Sequence, residues 1–377
     1  MDFKALLALM VQKKASDLFI TAGRAPTIKV DGSLVEVSKS ALTEDQAMTI
    51  VLSIMNQKQK DEFENTKECQ FAISVPSLAR FRVSAFTQRD AAGMVLRRIE
   101  NEIPDADALH LPPILKQLIM EKRGLVICVG ATGTGKSTSL AALIKHRNQN
   151  SSGHIITIED PMEFEHPHLG CIVTQREVGV DTESYEVALK NTMRQAPDVI
   201  LIGEIRTRET MQNAITFAET GHLCLSALHA NNANQALDRI LHFFPAEMHD
   251  QLFMDLSLNL KGIVAQQLIK RADGRGRYPA IEILINTPLA KDYIRKGEIT
   301  KLKELMKDSR ELGMQTFDQA LYDLYVAGRI SYEDALNSAD SRNEVRLMIK
   351  LGAEQGGKFA NDEMMLTETD DDRKAQF

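Results

Sequence analysis

Leu125-Val-Ile-Cys-Val-Gly-Ala-Thr-Gly-Thr-Gly-Lys-Ser-Thr138 decides how this chain is read. Leu125 to Val129 is an unbroken apolar run, the pattern of a central parallel strand covered on both faces. Gly130, Gly133 and Gly135 interrupt it, and Lys136 opens a helical stretch through Ala141-Ala-Leu-Ile144. Strand, glycine-rich turn and helix are the context in which G-x-x-x-x-G-K-[ST] carries chemistry. The glycines let backbone N–H groups converge on phosphate oxygens, and the helix N-terminus adds a favourable partial charge. Ala131, Thr132 and Thr134 complete the loop. In this reading Lys136 reaches the β- and γ-phosphates of ATP, the Ser137 hydroxyl ligates Mg2+, and Thr138 stands near the α-phosphate.

Working outward, His154 to Ile158, Val199 to Ile202 and Leu223 to Ala227 are further apolar strand candidates, spaced as strands alternating with helices. From Thr287 the periodicity is helical, ending in Glu333 to Leu336 and Ser341 to Lys350. The first hundred residues differ. A helix over Phe3 to Lys14 precedes strand-like Asp17 to Ile20 and Thr27 to Val30, and Asp31-Gly32 signals a hairpin into Leu34 to Val37. Thr43-Glu-Asp-Gln46 starts a helix to about Asn56 as a capping box, followed by strand-like Gln70 to Val75, Arg80 to Phe86 and Met94 to Ile99. The expected class is α/β: a PAS-like α+β domain over 1–100, a polar linker at 101–108, a P-loop ATPase core with carboxy-terminal helices over 109–350, and an acidic, disordered tail over 351–377.

With 377 residues, 44% hydrophobic and 26% charged, the chain suits two soluble globular domains. Of the net charge of −7, −4 falls in 351–377, with seven acidic and three basic side chains, so the body is nearly neutral. That balance, 5% aromatics and no tryptophan argue against a nucleic-acid partner. Cys69, Cys128, Cys171 and Cys224 are far apart without a CxxC pair, the pattern of a reducing compartment. No stretch approaches the ~20 apolar residues that span a bilayer, so a cytoplasmic protein is expected.

A P-loop enzyme needs an acid beyond a buried strand, and Asp198-Val-Ile-Leu-Ile-Gly-Glu204 supplies Glu204 for the magnesium shell. Glu159-Asp-Pro-Met-Glu-Phe-Glu165 offers a general base, but spacing does not choose among Glu159, Glu163 and Glu165. His222 and His229 flank a strand-like segment and would stand at its two ends. Arginines that could neutralise phosphate charge are Arg80, Arg82, Arg97, Arg98, Arg194, Arg206 and Arg239.

Together these segments resemble the secretion ATPases of type II secretion and type IV pili, in particular the PilT/PilU retraction branch. Ala15-Ser-Asp-Leu18 and four motifs in order carry the resemblance: Gly130 to Thr138, Ile158-Glu-Asp-Pro-Met-Glu163, Leu201-Ile-Gly-Glu-Ile-Arg206, and Thr220-Gly-His222 to His229. It implies Glu163 as catalytic glutamate, Glu204 as the acid of the magnesium shell, His222 and His229 at the nucleotide, and Arg82 and Arg97 reaching the phosphates. It also implies a RecA-like core in a homo-hexameric ring acting on an inner-membrane pilus platform protein, in pilus retraction and twitching motility. Where PilT-type members carry Ala-Ile-Arg-Asn-Leu-Ile-Arg, this chain has Leu289-Ala-Lys-Asp-Tyr-Ile-Arg295. That departure and the acidic tail point to the PilU side, a motor that works with a PilT-like partner.

Overall fold

The computed structural model describes residues 3–30, 32–76, 78–99 and 102–354; Asp31 of the hairpin turn, Glu100, Asn101 of the linker, and nearly all of the acidic tail lie outside them. The chain forms two compact units, and the division is not a single cut. One comprises Met1–Ile103, Ile156–His168 and Val173–Gln195; the other comprises Pro104–Ile155, Leu169–Ile172 and Ala196–Phe377.

The first unit begins with α1 (Phe3–Gln12), β1 (Asp17–Thr21), β2 (Thr27–Val30) and β3 (Ser33–Glu36). Next come α2 (Glu44–Ser53), α3 (Gln57–Thr66), β4 (Glu68–Val75), β5 (Ala79–Gln88) and β6 (Ala91–Arg98). Both halves of the capping box form at the start of α2, between Thr43 and Gln46. The helix α3 is absent from the sequence reading because its residues are almost all polar and only Phe63 is buried. A second capping box, Asn56 with Gln59, starts it.

The six strands make an antiparallel sheet ordered β3-β2-β1-β6-β5-β4. Period-2 alternation sends Leu18, Ile20, Phe81, Val83, Met94 and Leu96 into one core with Leu7, Met10 and Val51. The opposite face carries Asp17, Arg97 and Arg82, which are direct cross-strand partners in register.

Beyond α4 (Pro113–Ile119), β7 (Gly124–Val129) leads into α5 (Lys136–Asn150), followed by β8 (Gly153–Glu159), β9 (Cys171–Glu177) and α6 (Tyr185–Thr192). Then come β10 (Val199–Ile202), α7 (Arg208–Glu219), β11 (Leu223–Leu228), α8 (Ala233–His242) and α9 (His249–Asn259). The remainder is β12 (Leu260–Lys270), β13 (Arg277–Ile285), α10 (Pro288–Arg295), α11 (Leu302–Asp308), α12 (Phe317–Val326), α13 (Tyr332–Asn337) and α14 (Arg342–Glu354). The second sheet runs β13-β12-β7-β11-β10-β8-β9. β7, β10 and β11 are buried along their whole length, as their apolar runs require.

β9, β12 and β13 have no counterpart in the sequence reading. Gly262, Gln266 and Gln267 break the apolar run of β12, and Pro279 and Glu282 break that of β13. Pairing creates both strands, β12 lying parallel to β7 and antiparallel to β13 from Gly262↔Ile285 to Lys270↔Arg277.

Candidate active site

β7 is flanked in parallel register by β11 (Leu228↔Val129) and β12 (Ala265↔Val129), so the chain leaves the sheet at Gly130 between two neighbours. Parallel strands bring their carboxyl ends to one edge, where ligands of α/β folds bind. At that edge stand the loop after β7, Glu204 after β10 and His229 after β11. Gly135, with φ 87°, is the N-cap of α5 and offers no capping side chain. The first-turn N–H groups thus face the loop uncapped by any side chain, as anion binding requires.

Lys136 folds back over the loop, its Nζ donating to the carbonyls of Gly130 (2.8 Å) and Ala131 (2.9 Å). Thr134 Oγ1 donates to the same Ala131 carbonyl at 2.9 Å. Ala131, Thr132, Gly133 and Ser137 are exposed, and Thr138 is half-buried.

The Glu204 carboxylate is engaged at both oxygens. Oε1 lies 2.9 Å from His229 Nε2, and Oε2 accepts from Arg206 Nε at 2.8 Å. An ionised carboxylate only accepts, so the facing Nε2 carries the hydrogen. A cleft of about 430 Å3 opens beside the loop, lined by Ala131, Thr132, His229, Ala230, Asn231, Gln235 and Arg239.

His222 stands apart from this arrangement, at the other end of β11, as its spacing from His229 predicts. It precedes β11, its carbonyl accepts the Gly124 N–H at 3.0 Å, and its ring lies 3.2 Å from Thr220 Oγ1 and the Phe217 carbonyl. The whole of β11 separates it from His229, about 20 Å at the rise of a strand.

In the first unit, a cleft of about 300 Å3 is lined by Arg82, Arg97, Arg98, Ile99, Met162, Glu163 and Phe164. Of the three acids that spacing left open, Glu163 is the one that lines it. Glu159 instead accepts from Thr157 Oγ1 (2.6 Å) and Gln175 Nε2 (3.3 Å). Burial pushes the Glu159 carboxyl up to about 7, against those two hydrogen bonds and with help from the charges of Glu163 and Glu177.

Two residues given no role at the site by the sequence organise this cleft. Asp17, 2% exposed, accepts Arg97 Nε at 2.7 Å and the Ser16 hydroxyl at 2.8 Å. Glu177, equally buried, accepts the Met162 N–H at 3.3 Å. Burial raises the pKa of Glu177, while the Met162 N–H and then Arg82 and Arg80 oppose the rise. Only long-range pairing makes either visible.

The protein family described as type II/IV secretion system protein matches residues 2–322. The chain belongs to that family. The type IV pilus ATPase PilU of Pseudomonas aeruginosa is 66% identical over 94% of this chain and 93% of its own length. The type IV pilus retraction ATPase PilT of the same organism is 41% identical over 90% of this chain and 98% of its own. A crystal structure of the pilus retraction motor PilT with bound ADP superposes with a TM-score of 0.86 at 36% identity, covering 92% of this chain and 99% of that one. These likenesses make this family member an α/β ATPase of the type IV pilus, in the PilT/PilU group. Among the described residues, no helix is long and apolar enough to cross a membrane.

Proposed function

We propose that the chain hydrolyses ATP at the loop-and-carboxylate site and converts it into work in pilus retraction, as a motor accessory to a PilT-like ATPase. The observation that carries the site assignment is the convergence of Lys136, Glu204 and His229 on one sheet edge beside an open cleft. In this reading Gly130, Gly133 and Gly135 present backbone N–H groups to the phosphates, and Lys136 moves its ammonium from the loop carbonyls to the β- and γ-phosphates.

The oxygen donors present fit Mg2+, a hard cation. Ser137 would hold it directly. Glu204, both of whose oxygens are already held, suits the water-mediated shell. When bound, magnesium neutralises charge between the β- and γ-phosphates.

Glu163 accepts a proton from the attacking water, and Arg82 and Arg97 offset charge on the transferred phosphoryl group. His229 keeps Glu204 oriented; His222 has no such role within one chain. Residues 1–100 act as a PAS-like domain and 109–350 as a RecA-like core with carboxy-terminal helices. Six copies form the ring, which lies at the cytoplasmic face of the inner membrane against a platform protein. The departure at Leu289 to Arg295, on α10, supports dependence on a PilT-like partner.

The test is Mg2+-dependent phosphate release by purified protein, expected to collapse in Lys136→Ala and Glu204→Ala; wild-type turnover in both would sink the motor reading. In cells, deletion is expected to leave pili that retract weakly. Full retraction by this protein without any PilT would overturn the accessory role.

A further inference from the structure

Gln266 stands where the first turn of α5 meets the phosphate loop. It is one residue past Ala265, the β12 partner of Val129, and therefore level with the point where the loop leaves β7. Its side chain is 5% exposed. Nε2 donates to the Thr134 carbonyl at 2.8 Å, and Oε1 accepts the Ser139 hydroxyl at 2.8 Å. The amide thus ties the loop, just before Gly135, to α5, just after Thr138.

The same residue explains two glycines. A Cβ on Gly135 would stand 2.8 Å from Gln266 Nε2, and one on Gly130 would stand 2.7 Å from the Gln266 carbonyl. The loop is therefore packed on Gln266 at both its ends.

We propose that Gln266 is a positioning residue for ATP binding. It holds the peptide run from Thr134 to Ser139, which bears Lys136 and Ser137, in the curvature that aims the N–H groups at phosphate. A primary amide suits the task because it offers a donor and an acceptor at fixed separation. Thr134 O only accepts, so the amide orientation is unambiguous. Glutamate would face that carbonyl with a second acceptor, and leucine would take the partner from the buried Ser139 hydroxyl and from the half-buried Thr134 carbonyl.

This inference rests on the loop being the nucleotide site, so Lys136→Ala is measured beside the Gln266 variants. Binding of a fluorescent ADP analogue and steady-state ATP hydrolysis are followed in the full chain. Gln266→Leu and Gln266→Glu are expected to weaken the ADP Kd and raise KM for ATP by roughly 10- to 100-fold, with kcat falling less. Ser139→Ala, which removes one of the two bonds, is expected to weaken Kd by about 3- to 10-fold with an unchanged circular dichroism spectrum. A merely structural role would lower the melting temperature and leave the Kd of the folded fraction unchanged.

Wild-type Kd in folded Gln266→Leu, with binding lost in Lys136→Ala, would overturn the proposal and leave the site intact. Wild-type binding in Lys136→Ala would instead remove the site reading itself. If Gln266→Leu fails to fold, Ser139→Ala decides: an unchanged Kd there overturns the proposal.

Discussion

The phosphate loop and the arginine cleft are built in opposite ways. The loop is nine consecutive residues, Gly130 to Thr138, running from the end of β7 into the first turn of α5. The cleft draws its lining from β5, β6 and the turn after β8, and Asp17 from β1 and Glu177 from β9 lie behind it. A contiguous site obtains most of its geometry from local backbone conformation, here braced by one distant residue, Gln266. A dispersed one needs strand register, because Asp17, Arg97 and Arg82 meet only as cross-strand partners. The contiguous region should therefore fail abruptly when one residue is changed, and the dispersed one by degrees.

The largest effect is expected at the loop. Lys136→Ala should lower kcat/KM for ATP by more than about 10³-fold and abolish nucleotide binding, followed by phosphate release and by fluorescence titration. Retained binding would break the contrast at its strong end. Next is Glu163→Gln, expected to lower kcat by about 10²–10³-fold while ADP affinity stays within about threefold, since a general base acts on the attacking water and not on nucleotide binding. A parallel loss of affinity would reassign Glu163 to binding.

Asp17→Asn tests dispersal directly. It leaves the Arg97 guanidinium without its carboxylate partner, and we expect about a tenfold fall in kcat with unchanged ADP affinity. Because Arg97 is 58% exposed in this pair, the stability loss should be only about 1 kcal/mol by urea denaturation. Full activity in Asp17→Asn would show that Arg97 needs no orientation.

The last effect concerns stability and pH and leaves turnover aside. Glu282 on β13 is 1% exposed and accepts the Ala233 N–H at the start of α8 at 2.8 Å. Burial pushes its carboxyl from an ordinary 4.5 up to about 7, while the Ala233 N–H and Lys303 oppose the rise and Asp340 adds to it. The native state then holds a proton that the unfolded chain has lost between pH 4.5 and 7, so this group favours folding more as pH falls through that window. Relative to Glu282→Gln, the wild-type unfolding free energy should rise by on the order of 2 kcal/mol from pH 8 to pH 5. His166, pushed down to about 4 by burial, acts in the opposite sense but is common to both proteins and cancels. Parallel pH curves for the two would show that Glu282 titrates alike in both states.

What the sequence determined by itself follows from local rules. The buried strand, the glycine turn and the helix from Lys136 are read from local residue order, as are Glu204 beyond β10 and the Thr43 capping box, because each depends on neighbours within a few residues. Spacing could not choose among Glu159, Glu163 and Glu165; the tertiary structure turned Glu159 toward Thr157 and Gln175 and left Glu163 on the arginine cleft. Pairing likewise raised the mixed-polarity segments β12 and β13 into the sheet. Gln266 was invisible in the sequence for the same reason: its partners, Thr134 and Ser139, lie more than a hundred residues away along the chain, and only the parallel pairing of β12 with β7 brings them within hydrogen-bond distance.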